Sequence, residues 1–289
     1  MKIATHVDLS QAVAEALKWP GDIKLLARNA GYPDQVRSIA IEGIGCYLFG
    51  HNLASLTHFC RPIVTEERVT YSGYCWKSDR SVPGIELTDR AVQPHPEAWG
   101  KPILIDTFQQ HEPLTELVAT LTNPQTKGTI AADDITYPTA AIMAAWAEDC
   151  ASKLPKELKL EDRLEAVTIL TGWTLHWIED CTVPHHAECL MLDGHSEYEG
   201  QAEEMWRKAR LTGKADAWIK EAVTAAHDPA RALRTIAEEN ALKSQCSPSR
   251  LCWYRRFRRG KWNDMIEASL RRSLCSAVEG VRRMRTYLD

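Results

Sequence analysis

The strongest pattern in the chain is an apolar face at three-and-four spacing through Leu164, Val167, Leu170, Thr171, Thr174 and Leu175. It predicts a helix from Leu160 to Asp180, stopped by Thr182-Val183-Pro184. Thr139 to Leu154 reads as a second strong helix, with Thr139 or Pro138 at its start. His195 opens another, running to about Arg210. Further helices are expected from Lys214 to Ala226, from Pro229 to Lys243 (ended by Ser247-Pro248) and from Asn263 to Tyr287.

The amino-terminal third is less regular. Asp8-Leu9-Ser10 precedes an amphipathic run, Ala12 to Lys18, which Trp19-Pro20 ends. A short helix is expected over Ile23 to Asn29. Gly31-Tyr32-Pro33 forms a turn delivering Asp34 to the start of a helix that reaches about Ile44, where an aspartate caps well. Cys46 to Phe59 is apolar, with His51 and His58 seven apart on one helical face, and Arg61-Pro62 breaks it. Thr65 to Lys101 shows no long period, and a hairpin is expected around Val69 to Trp76. Pro113 to Leu121 is a shorter helix. The reading is an all-α fold, a single multi-helix domain over 1–289 with an irregular insertion around 60–135, placed as a lid or substrate wall.

Composition narrows the class. With 289 residues, 44% of them hydrophobic, the chain is long enough for a sizeable core. A net charge of -4 argues against a protein that coats nucleic acid through overall positive charge. No run of 18 apolar residues exists, so no stable membrane insertion is expected. The start, MKIATHVDLSQ, lacks the apolar run of a signal peptide, so the chain reads as cytoplasmic, or as a mature form whose leader has been replaced. Nine cysteines occur without a CxxC pair, and reduced thiols are the default; Cys181 and Cys189, which flank Pro184-His185-His186, are open to a metal or disulfide role.

The chemistry concentrates in Gly172 to Glu199, GWTLHWIEDCTVPHHAECLMLDGHSEYE, which holds four of the ten histidines. His176 with Asp180, and His195 with Glu199, are pairs four apart and so share a helix face; His186 lies between them behind Pro184. Three imidazoles and two carboxylates make a mixed nitrogen and oxygen set of the kind that suits zinc. His51, His95, His111, His185 and His227 read as surface or packed residues, with His185 a candidate for supporting a ligand. The run Arg255 to Trp262 is basic with aromatics, and Tyr74, Trp76 and Trp99 in the insertion are either packing residues or platforms for a base or a choline-like head group.

The pattern H-x3-D-x3-P-x-H-x8-H-x3-E closely resembles the zinc-dependent phospholipase C and single-strand-specific nuclease superfamily. Its terminal glutamate is more like the phospholipase branch, since the nucleases usually carry aspartate there. The resemblance implies an all-helical fold and three zinc ions at the bottom of a cleft. It also implies upstream ligands: His6 just before the first helix, Asp34 after it (with Glu42 as the substitute), and His58 in Leu56-Thr57-His58-Phe59. The implied first ion takes Asp34, His58, His176 and Asp180. The second takes His186, His195 and Glu199. The third takes His6, a shared oxygen of Asp180, and the amine and carbonyl of Met1, where the family has tryptophan.

The implied activity is a phosphoric-ester hydrolase, in which a bridging water with its pKa lowered toward ~7 attacks phosphorus and Asp34 orients it as general base. The substrates implied are a phosphate-ester small molecule, a phospholipid or a single-stranded nucleic acid. A nuclease or nucleotidase on the same metals, and a divergent member acting on a specialised small molecule, are the alternatives.

Overall fold

The computed structural model describes residues 1–34, 58–73, 139–190, 194–226 and 231–288, with the backbone of 82–83 and 129–130. These residues are mostly helical. The helices are α1 (Ile3–Ala16), α2 (Ile23–Ala30), α3 (Ala140–Ser152), α4 (Leu160–Asp180), α5 (Pro184–Ala187), α6 (His195–Leu211), α7 (Lys214–Ala225), α8 (Leu233–Ser244), α9 (Pro248–Phe257) and α10 (Arg259–Arg285). The strands are short: β1 (Arg61–Val64) pairs antiparallel with β2 (Val69–Ser72), and β3 (Val82–Pro83) with β4 (Thr129–Ile130).

Helix α4 is the axis of the fold. Every residue from Ala166 to Asp180 is buried, and α2, α3 and α10 pack against it. A helix enclosed on all sides must satisfy its polar groups internally. Thr168 and Thr171 do so by donating to the carbonyls of Leu164 and Val167 one turn back. Its carboxyl end is fastened by hydroxyls: Thr182 donates to the Glu179 carbonyl, and Ser244 of α8 and Ser269 of α10 both donate to the Thr182 carbonyl. That end carries Asp180, so the fastening fixes the residue on which the site is built.

Two close approaches tune the position of α4. A Cβ on Gly172 would lie 2.5 Å from the Leu26 carbonyl oxygen and 2.9 Å from the Ala30 nitrogen, so only glycine admits α2 at this distance. A Cβ on Gly280 would lie 2.9 Å from Leu175, which sets the approach of α10.

The helices expected over Leu160 to Asp180, His195 to Arg210, Lys214 to Ala226 and Thr139 to Leu154 are present, and Thr139 caps α3 by accepting from the Ile142 amide. Three expectations need correction. Helix α1 begins at Ile3, well before Ala12, because Asp8 and Ser10 do not cap it: Asp8 accepts from Trp206, and Ser10 donates to Glu179. The hairpin spans Arg61 to Ser72, ahead of its expected place. Ser247-Pro248 opens α9, since a proline fits the first turn of a helix as well as it ends one.

Helix α8 starts at Leu233, later than Pro229. The last helix starts at Arg259, so the basic run from Arg255 to Trp262 is divided between α9 and α10. The expected helices after Asp34 and over Pro113 to Leu121, most of Cys46 to Phe59, Glu42, Tyr74, Trp76, Trp99, His51, His95, His111 and His227 lie outside the described residues. No described helix is long and apolar enough to cross a membrane.

Candidate metal centre

The site is assembled where four helices meet, with His58 and Asp34 added from the turns before β1 and after α2. Helix α4 supplies His176 and Asp180, one turn apart. Helix α5, which starts at Pro184, supplies His186. Helix α6 supplies His195 at its first residue and Glu199 one turn on. Helix α1 and the chain start supply His6 and Met1. His6 lies inside α1, not before it. His58 sits in a turn and Phe59 is extended, held by backbone bonds from Cys60 to the His186 carbonyl and from Ala140 to the Phe59 carbonyl. Gly194 has φ +92°, a left-handed conformation that glycine accepts without strain, and it delivers His195 to the start of α6.

All nine candidate ligands converge, and Asp180 is at the centre. Its Oδ2 lies 3.1 Å from His58 Nδ1 and 3.2 Å from His176 Nε2. Its Oδ1 lies 2.7 Å from the Met1 amine, 3.3 Å from His6 Nε2 and 3.3 Å from His186 Nδ1. Asp34 Oδ1 completes the first group, 3.4 Å from His58 Nδ1 and 3.8 Å from His176 Nε2. In the second group His186 Nε2 and His195 Nε2 are 2.8 Å apart, and Glu199 Oε1 is 3.6 Å and 3.1 Å from them. The Met1 amine also lies 3.2 Å from Glu199. His6 gathers with Asp34 and His176 as well, but Asp180 is its close oxygen neighbour in the third group.

These contacts fit a cation better than they fit hydrogen bonds. Asp180 Oδ2, His6 Nε2, His58 Nε2 and His186 Nδ1 are buried without a hydrogen bond among the described residues. Asp180 Oδ2 is in this state although two imidazole nitrogens stand within 3.2 Å of it. Orphaned buried polar atoms are costly, and two of these, Asp180 Oδ2 and His6 Nε2, are ligand atoms of the implied groups that an ion would satisfy. Ligands around a tetrahedral zinc with bonds of ~2.0 Å stand about 3.3 Å apart, the range these pairs span. The groups His58–His176–Asp180 and His186–His195–Glu199 can therefore each hold a metal ion.

The imidazoles are oriented from behind. His176 Nδ1 lies 2.7 Å from the Ala30 carbonyl oxygen, which fixes the proton there and frees Nε2 toward Asp180. His6 Nδ1 lies 2.6 Å from Glu179 Oε2, and Ser10 donates to Glu179 Oε1 at 3.1 Å. His185 is buried with its ring stacked on His195 at 5.4 Å and packed against Tyr198 and Trp262, so it steadies a ligand by contact. Glu179 and Ser10 are functional candidates that motif spacing does not reveal. The available signal was a carboxylate inside the apolar stretch Trp177-Ile178-Glu179, which demands a buried partner.

Electrostatics follow from burial opposed by close charge. Burial alone would raise the Asp180 carboxyl, but the Met1 amine, His186, His176 and His6 hold it well below the usual range. Glu199 is likewise held low against burial by the same amine and by His186 and His195. Burial would lower the Met1 amine, yet Asp180, Glu199 and Asp34 raise it to about 11. His6 is raised to about 9 against burial, with Asp180 and Glu179 on its two nitrogens. Burial and nearby His6 push His176 down to about 4.

A cavity of about 660 Å³ opens onto this cluster, with Asp34, His58, His195 and Glu199 on its floor and Lys2, Ile3, Phe59 and Glu203 on its walls. Cys181 and Cys189 lie outside the metal-holding groups: Cys181 is a buried free thiol, and Cys189 donates to the Gly73 carbonyl. Arg255 and Arg259 of the basic run pair with Glu197 on α6. No family model matches the chain, and comparisons with curated proteins and with solved structures return no match.

Proposed function

We propose that this chain is a zinc-dependent phosphoric-ester hydrolase of the phospholipase C and single-strand nuclease type, with three ions, two of which would share Asp180. One observation carries the reading: the two oxygens of the buried Asp180 face two separate sets of nitrogen donors. Asp34, His58, His176 and Asp180 would hold the first ion, and His186, His195 and Glu199 the second. His6, Asp180 and the Met1 amine and carbonyl would hold the third.

Bound zinc would supply positive charge to the phosphate and lower the pKa of a bound water toward ~7. The residues account for the rest. Four carboxylates, Asp34, Asp180, Glu199 and Glu179, would oppose the six positive charges of three zinc ions, leaving an excess that attracts an anionic ester. Asp34 faces the cavity, where it would orient the attacking water and accept its proton. Burial of His176, His6 and Asp180 excludes bulk water from beneath the reacting group, which strengthens each charge acting on it. Ile3 and Phe59 give the cavity an apolar wall suited to the non-phosphate part of the substrate.

The phospholipase C form is the first choice, on the glutamate at position 199. A nuclease is the second reading, favoured by α9. There Trp253 and Phe257 are exposed beside Arg256 and Arg258, and Arg255 anchors this helix to α6. Exposed aromatics with arginines suit stacked bases and phosphates. Zinc-loaded protein assayed on phosphatidylcholine, a chromogenic phosphodiester and single-stranded DNA tests both. Turnover of the first two supports the phospholipase form, and turnover of DNA alone supports the second reading. Absence of hydrolysis on all three by the zinc-loaded protein rejects the proposal.

A further inference from the structure

Two histidines of the centre are held by opposite kinds of acceptor. His176 gives its Nδ1 proton to a neutral backbone carbonyl, that of Ala30. His6 meets a carboxylate, Glu179, at 2.6 Å. Both Glu179 and His6 are fully buried, so this contact is made without water. Glu179 is itself held in place, because Ser10, one turn after His6 on α1, donates to its other oxygen. The next residue, Asp180, then presents Oδ1 to His6 Nε2 at 3.3 Å. Adjacent carboxylates on α4 thus face the two nitrogens of one ring, Glu179 from behind and Asp180 from the front.

We propose that Glu179 is the positioning residue of the amino-terminal metal pocket: its carboxylate takes the Nδ1 proton of His6, and so directs the Nε2 lone pair at the point shared with Asp180 and the Met1 amine. This inference rests on the zinc reading above. A carboxylate behind a ligating imidazole fixes its tautomer and ring angle and makes the ligating nitrogen more basic. The pocket needs that help more than its neighbours do. It has a single imidazole, where each of the other two has two imidazoles and a carboxylate of its own. Ser10 makes the arrangement rigid by restraining the carboxylate from the same helix that carries His6.

The test is zinc titration of metal-free wild type, Glu179→Gln and Ser10→Ala by native mass spectrometry and competition with a chelator. It is joined by nitrogen NMR of the histidine rings in the zinc-loaded proteins. Glu179→Gln should weaken the third zinc by roughly 10–100-fold while the first two stay bound, and the downfield His6 Nδ1–H signal should shift or vanish. Ser10→Ala keeps the carboxylate and should weaken the third zinc by a few-fold, which preserves the test if the glutamine variant does not fold. Wild type and both variants holding three zinc ions with equal affinity and an unchanged His6 signal would overturn the role of Glu179 alone. Wild type holding only two zinc ions would overturn this inference, and fewer than two would overturn the reading of the whole centre with it.

Discussion

His176 Nδ1 lies 2.7 Å from the carbonyl oxygen of Ala30, and the contact exists because Gly172, one turn earlier on α4, lets α2 come close. A methyl at Gly172 would meet the Leu26 carbonyl at 2.5 Å, a backbone atom that cannot rotate aside. Gly172→Ala should therefore push α2 away, cost roughly 1–3 kcal/mol of stability, and loosen the ring of His176. Chemical denaturation measures the first effect. Weaker zinc binding in the folded variant measures the second, and unchanged stability would contradict the packing argument.

Asp180 belongs to two of the three ion pockets, so its loss should be felt by both of them. Asp180→Asn keeps the shape and removes the charge that the Met1 amine, His186, His176 and His6 share. We expect at least two ions to be released and affinity to fall by more than the roughly 10–100-fold typical of an outer-shell change. Equilibrium dialysis with metal analysis checks the count. Loss of a single ion would place Asp180 at the edge of the site.

The free amine of Met1 sits 2.7 Å from Asp180 and 3.2 Å from Glu199. Extending the chain by Gly-Ser ahead of Met1 replaces that amine with an amide and moves the charge two residues away. The extended protein should lose one zinc ion and keep the other two. Full occupancy after extension would show that the amine is not a ligand.

Both the stability of the metal-free protein and the stabilisation by zinc should depend on pH. In the metal-free protein the Met1 amine is raised from 8.0 to about 11 and His6 from 6.5 to about 9. Raised bases stabilise below their unfolded pKa, so these contributions are lost as pH climbs from 6.5 through 9 and from 8.0 through 11. His176 is lowered to about 4, so its contribution is lost as pH falls from 6.5 through 4. The metal-free Tm should thus peak near pH 6.5, fall toward pH 4 as His176 protonates and decline toward pH 11 as His6 and Met1 lose their protons. Zinc displaces the protons of Met1 and His6, so the rise in Tm on adding zinc should grow from pH 6 to pH 9. Thermal melts with chelator and with zinc measure it, and an increment independent of pH would refute it.

The legible part of the molecule was the part written in short-range spacing. His176 with Asp180 and His195 with Glu199 are one turn apart on continuous helices, and the helices expected there formed. Asp8, Ser10 and Pro248 were misleading because each carries a local signal that tertiary structure reassigns. Asp8 and Ser10 looked like a helix start, yet their side chains are taken by Trp206 and Glu179, residues more than 150 positions away. Pro248 ends a helix in one setting and begins one in another. Glu179 was hidden for a related reason: nothing in its neighbours along the chain announces that His6, 173 positions earlier, is folded against it.

The central claim is that the chain carries three metal pockets, two of them sharing Asp180, and the most direct test is the metal content of the untagged protein. Chain concentration by amino-acid analysis and zinc by plasma mass spectrometry, after exhaustive dialysis against buffer, should return three zinc ions per chain. Two would contradict the third pocket at the amino terminus, and fewer than two would contradict the account.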